Sequence, residues 1–177
     1  LHNGTADATS GAFVVTGATG TSLTNASGTF LFTLNSAATL GSDNSVTLAG
    51  FDGGVRLPAV TNEYLFHVIN PGSSAVSPRL TAFVSAPLAS AGHITKSGRG
   101  TLVLSGTNTF TGALNIAGGT VTLGGATAFP TATSTSVYAG ALDIGANNFS
   151  TGALTFVPSG TLASIASTGG AINQNTI

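Results

Sequence analysis

The chain has 177 residues, enough for one domain with its own core. Four Lys and Arg stand against five Asp and Glu, and charged residues are only 5% of the whole. No basic stripe can be built from so few cations, which argues against nucleic acid and anionic lipid as partners.

Cys is absent, which excludes disulfides, thiolate metal sites and Cys nucleophiles. No apolar run reaches the ~18 residues of a spanning helix. A membrane barrel calls for aromatic girdles, but there is no Trp, and Tyr64 and Tyr138 are the only tyrosines. The surface must instead be made of Thr, Ser, Asn and Gly.

The chain opens on "LHNGTADATSGAFVV", low in charge and rich in β-formers. It starts at Leu1 without a signal-peptide pattern, as a processed or excised chain would. Phe30, Phe32 and Leu34 alternate with polar or outward positions, as do Val46 and Leu48. Alternation at period two predicts half-buried strands. "SVTLAGFDGGVRL" (Ser45 to Leu57) reads as strand, turn, strand. "NEYLFHVINPGSSAVSPRL" carries Pro71 and Pro78 and reads as a loop excursion. Residues 1–75 are thus expected to form a less regular β region.

From about residue 80 to 170 the pattern repeats. "GTLVLSGTNTFTGALNIAGGTVTL" from Gly100 aligns with "GALDIGANNFSTGALTFVPSGTLA" from Gly140. The period is about 40 residues, each period reads as three short strands, and Gly bounds most of them. Helix formers are scarce. A helix-free repeat of this kind predicts a solenoid whose turns pair in parallel about 4.8 Å apart. At roughly 20 residues per turn, about nine turns are expected over 177 residues, a rod about 40 Å long. The inward ladder is assigned to Leu102, Leu104, Leu114, Ile116, Val121, Leu123, Leu142, Ile144, Leu154 and Phe156. Asn108 and Asn147 or Asn148 are placed to stack their amides from turn to turn.

Lys96 to Gly125 carries a more specific pattern. It runs Lys96, Gly98, Gly100-Thr-Leu-Val-Leu-Ser-Gly106, Asn108-Thr-Phe-Thr-Gly112 and Gly119-Thr-Val-Thr-Leu-Gly124. This resembles the autotransporter-associated β-strand repeat of bacterial surface proteins. Its turn positions are Gly100, Gly106, Asn108, Phe110, Gly112 and Gly119. The resemblance implies a right-handed parallel β-helix in the passenger of a secreted bacterial protein, and so an extracellular or cell-surface location.

The residues that could carry chemistry are few. The acids are Asp7, Asp43, Asp52, Glu63 and Asp143. Sugar cleavage needs two carboxylates flanking one bond. Asp43 and Asp52 are the nearest such pair and the only metal candidates, yet "GSDNS" and "FDGG" are ordinary turn strings. His2, His67 and His93 lack metal-ligand spacing, and His67 reads as a strand-face imidazole. No Gly-x-Ser-x-Gly or phosphate-cradling loop is present. Lys96 and Arg99 are read as a solvated turn or a local salt bridge. Asn3, Asn25 and Asn148 head glycosylation triplets that gain meaning only in a glycosylating cell.

No catalytic residue, metal or cofactor is therefore expected. The leading expectation is a non-enzymatic extracellular rod, either a surface stalk or a subunit that joins end to end through about residues 1–35 and 165–177. Its partners would be other copies of itself or surface glycans, without nucleic acid or membrane insertion. The alternatives are a carbohydrate-binding adhesin passenger and, further off, a polysaccharide-active β-helix enzyme.

Overall fold

The computed structural model describes residues 2–3, 12–16, 23–24, 30–34, 44–49, 55–56, 63–68, 80–89, 92–130, 134–157 and 163–174. Those residues contain strands and no helix. In chain order the strands are β1 (His2–Asn3), β2 (Ala12–Thr16), β3 (Leu23–Thr24), β4 (Phe30–Leu34), β5 (Asn44–Ala49), β6 (Val55–Arg56), β7 (Glu63–Val68), β8 (Leu80–Val84) and β9 (His93–Ser97). They continue with β10 (Thr101–Leu104), β11 (Leu114–Ile116), β12 (Thr120–Leu123), β13 (Thr135–Val137), β14 (Ala141–Gly145), β15 (Phe149–Thr151), β16 (Leu154–Phe156), β17 (Ser164–Ser167) and β18 (Ile172–Gln174).

Two seven-stranded sheets hold the structure together. One has the order β1-β4-β7-β9-β11-β13-β16, the other β2-β5-β8-β10-β12-β14-β17. The chain visits the two sheets in alternation, and each new strand is laid parallel on the strand of the turn before. That is a β-solenoid. Two-stranded pairs, β3–β6 and β15–β18, add parts of a third side. Side chains on one strand point alternately in and out, and β7, β10, β12 and β14 show this as strict alternation of burial.

The sequence repeat corresponds to two turns. Thr101 pairs with Thr120, which pairs with Ala141. The period that begins at Gly100 contains four strands rather than three, β10 to β13. The extra one is β13, Thr135–Val137. It escapes the hydrophobic pattern because its first inward residue is Thr135, buried and hydrogen-bonded at 3.1 Å to the buried Thr151 hydroxyl. Turn length also differs along the chain. Phe30 pairs with Tyr64 and Tyr64 with Ile94, so these turns take about 30 residues or more. From β9 onward Ile94, Leu114 and Thr135 succeed one another at about 20. Long early turns are why the main sheets show seven strands each among the described residues where uniform 20-residue turns would give nine.

The core lies between the sheets. Leu102, Leu104, Leu114, Ile116, Val121, Leu142 and Ile144 are fully buried, and Leu123 is nearly so. Tyr64, Phe66 and Val68 carry the same core into β7, although the expected less regular region includes them. Phe110, Phe129 and Phe149 form a column at one corner, with ring centroids 5.2 and 4.9 Å apart. The assignment of Leu154 and Phe156 to the interior needs correction. Leu154 is half-buried and Phe156 is 46% exposed. Their register is inward, since Val137 pairs with Phe156. They belong to β16, however, the last strand of its sheet, and no described strand stacks beyond it.

Leu104 and Val103 separate core packing from β-propensity, because neighbours on one strand face opposite sides. Replacing fully buried Leu104 by Ala is expected to cost about 2–5 kcal/mol. Replacing half-buried Val103 by Thr is expected to cost well under about 1 kcal/mol. Urea midpoints of the two variants measure the difference.

Candidate functional site

The residues with unusual chemistry cluster at the corner between β9 and β10 and the matching corner one turn later. Lys96 sits on β9 in the inward column, paired in register with Phe66 on one side and Ile116 on the other. Its side chain is fully buried. The ammonium donates to the carbonyls of Ser97 (2.8 Å), Gly98 (2.8 Å) and Gly118 (3.0 Å). Three N–H groups meet three acceptors, the full capacity of a lysine head group. The expectation of a solvated turn or local salt bridge is therefore wrong for Lys96. Its cation ties its own corner to the corner of the next turn.

Glycine makes this geometry possible. Gly119 has φ +72°, a left-handed conformation that costs glycine little. A Cβ there would come within 2.7 Å of the Lys96 Nζ and 2.5 Å of the Gly98 oxygen. At the opposite corner, a Cβ on Gly112 would overlap the Gly92 carbonyl of the preceding turn. Gly106 is in the same position, with the Ser85 oxygen 2.7 Å from where its Cβ would be. Of the other turn-motif residues, Gly100 and Phe110 are buried.

Asn108 is almost completely buried and joins three turns. Its Oδ1 accepts from the Leu88 N–H at 2.7 Å, and its Nδ2 donates to the Ala128 carbonyl at 2.6 Å. Asn147 donates to the Leu123 and Ile144 carbonyls, and Asn148 accepts from the Ala171 N–H. The asparagines do bond across turns, but to backbone rather than to one another. Between Asn108 and Asn147 the intervening turn supplies Thr127 and Ala128 at the corner, so no continuous amide ladder can form.

Outside the Lys96 corner lies a shallow groove of about 600 Å³, lined by Arg99, Gly118, Gly119, Thr120, Ala139, Gly140, Ala141 and Ser164. These residues come from four successive turns, β10 to β17. Arg99 is exposed at one end. No carboxylate is among the described residues that line the groove.

The remaining candidates are dispersed. Asp43 and Asp52 lie outside the described residues, and no group of three potential metal ligands occurs among those described. The Asp143 carboxylate accepts from the Gly145 N–H at 2.9 Å, closing a local turn. His67 is hydrogen-bonded to Ser97 at 2.7 Å, and His93 accepts from the Ala113 N–H. Among the described residues, nothing gathers these groups around a common reaction centre.

Residues 94–123 match the family model of the passenger-associated-transport-repeat. The match spans most of β9 and runs to the end of β12, so it contains Lys96, Gly98, Asn108, Gly112 and Gly119. The motif is thus a statement about corners and stacking. No curated protein and no solved structure matches the chain.

Burial pushes the Lys96 ammonium down from 10.5 to about 7. The unfolded chain then binds more protons than the folded one at any pH between these values. Stability is accordingly expected to rise with pH from 7 to 9, by on the order of 1.4 kcal/mol per pH unit at most. Below pH 7 this contribution levels off, with both states protonated. Lys96→Met should abolish the slope, and it leaves three carbonyls without their donor. Urea titrations of both proteins at pH 6, 7, 8 and 9 measure it.

Proposed function

We propose that this chain is a non-enzymatic structural segment of a secreted or surface-displayed bacterial protein, a β-solenoid rod that serves as a stalk. The supporting observation is the unbroken order of the two main sheets, in which parallel pairing runs from β1 to β16 and from β2 to β17. Such a stack gains length by adding turns, each contacting its neighbours alone. The passenger-type repeat at residues 94–123 agrees with this role, since it specifies corners that let turns stack. The scattered acids and histidines also favour a structural part over a catalytic one.

Rods of this kind can lengthen by joining end to end. Phe156 and Ile172 are 46% and 44% exposed at the late turns. β16 and β17 are the outermost strands of their sheets among those described. Strand edges next to exposed apolar side chains invite pairing with another strand. Near-zero net charge removes the repulsion that would oppose it. Homopolymer formation is the finer part of the proposal, and a carbohydrate-binding passenger is the other reading, taken up below.

Particle length by light scattering and negative-stain microscopy tests the assembly. Growth of rods with protein concentration, with little response to salt, is expected, because few charges are available to screen. Phe156→Asp should shorten the particles without unfolding them, as the side chain is already partly in water. A chain that stays monomeric at high concentration leaves only the single-rod stalk.

A further inference from the structure

We propose that the groove beside the Lys96 corner binds an acidic saccharide, with the Arg99 guanidinium anchoring a carboxylate on an otherwise hydroxyl-rich chain. The inference does not depend on end-to-end assembly. It rests on how the groove is built.

Gly118, Gly119 and Gly140 are three of its eight described lining residues, so a ligand meets few large side chains there. The groove crosses four turns spaced about 4.8 Å apart, a run of about 14 Å that suits an extended ligand. Part of the backbone along that run is already paired. The Thr120 N–H donates to Gly100, the Ala141 N–H to Gly119 and the Ser164 N–H to Gly140, at 3.2, 2.9 and 3.0 Å. One donor in each of these three turns, which a peptide would need to add itself as a strand, is therefore engaged by the turn before. That disfavours an extended peptide. What the groove still offers are the hydroxyls of Thr120 and Ser164 and the fork of Arg99.

Charge narrows the choice further. Arg99 is the only charged residue among the described residues that line the groove. Behind the lining, the Lys96 ammonium is hydrogen-bonded to the carbonyl of Gly118, one of the lining residues. With no carboxylate among the described lining residues, an anionic group meets attraction from Arg99 there. A guanidinium binds a carboxylate through two parallel hydrogen bonds, which a lysine cannot reproduce. A single arginine with neutral hydroxyls around it fits a chain bearing isolated acid groups better than a densely charged polyanion.

The test titrates the folded chain with a uronic-acid oligosaccharide and follows backbone amide shifts by NMR. A neutral oligosaccharide of equal length and sodium acetate serve as controls. Saturable shifts confined to residues 99, 118–120, 139–141 and 164 are expected with the uronic-acid oligomer alone. Arg99→Gln should weaken binding by about ten-fold or more, and Arg99→Lys by less. Arg99 is exposed, so both variants should keep the wild-type melting temperature. The proposal is overturned by no saturable shift, by equal shifts with the neutral oligomer or with acetate, or by Arg99→Gln binding as wild type.

Discussion

Hydrogen bonds in this protein run between turns, and everything else follows from that. A turn of a solenoid satisfies few of its own backbone groups. Its N–H and C=O groups are paired by the turn before and the turn after, as Thr120 with Gly100 and Ala141 with Gly119 show. Successive turns must therefore match in register at both sheets and pass the corners without spreading apart. Strands tolerate many side chains under this rule. Corners do not, which is why Gly112 and Gly119 sit where a single added carbon would strike a neighbouring carbonyl.

Corners also leave carbonyls that no strand can pair. Lys96 and Asn108 are two buried side chains, among those described, that answer that problem. Asn108 supplies one acceptor and one donor, in opposite directions along the stack. Lys96 supplies three donors to two corners. Burying a polar amide or an ammonium is unfavourable unless every hydrogen finds a partner. Here each bond made reaches a backbone carbonyl or N–H at a corner. The two side chains thus hold register at points where the aliphatic ladder, being non-directional, cannot.

The same construction leaves the outer surface neutral and repetitive. Thr101, Thr120, Ala141 and Ser164 lie in successive turns of one sheet, and Thr95, Asn115 and Ser136 in the other. A surface of hydroxyls and amides stays hydrated without charge. Against it, Arg99 beside a glycine-lined groove is a local exception.

Much of the architecture was legible in the sequence. Period-two alternation depends on each strand alone, so it placed Leu102, Leu104, Leu114 and Ile116 on the inward face without knowledge of the partner strand. The 40-residue repeat revealed stacking, because turns that bury one another must carry like residues at like positions. What only the tertiary structure decided was anything that depends on the next turn. Lys96 follows Ile94 in the inward phase, yet a charge in that phase is read as solvated until the Gly98 and Gly118 carbonyls are seen converging on it. β13 hides because Thr135 is inward by virtue of a hydroxyl partner 16 residues away. Phe156 has the inward register and the composition of a core residue, but a core residue is buried only when a further turn covers it, and burial is a property of the stack rather than of the strand.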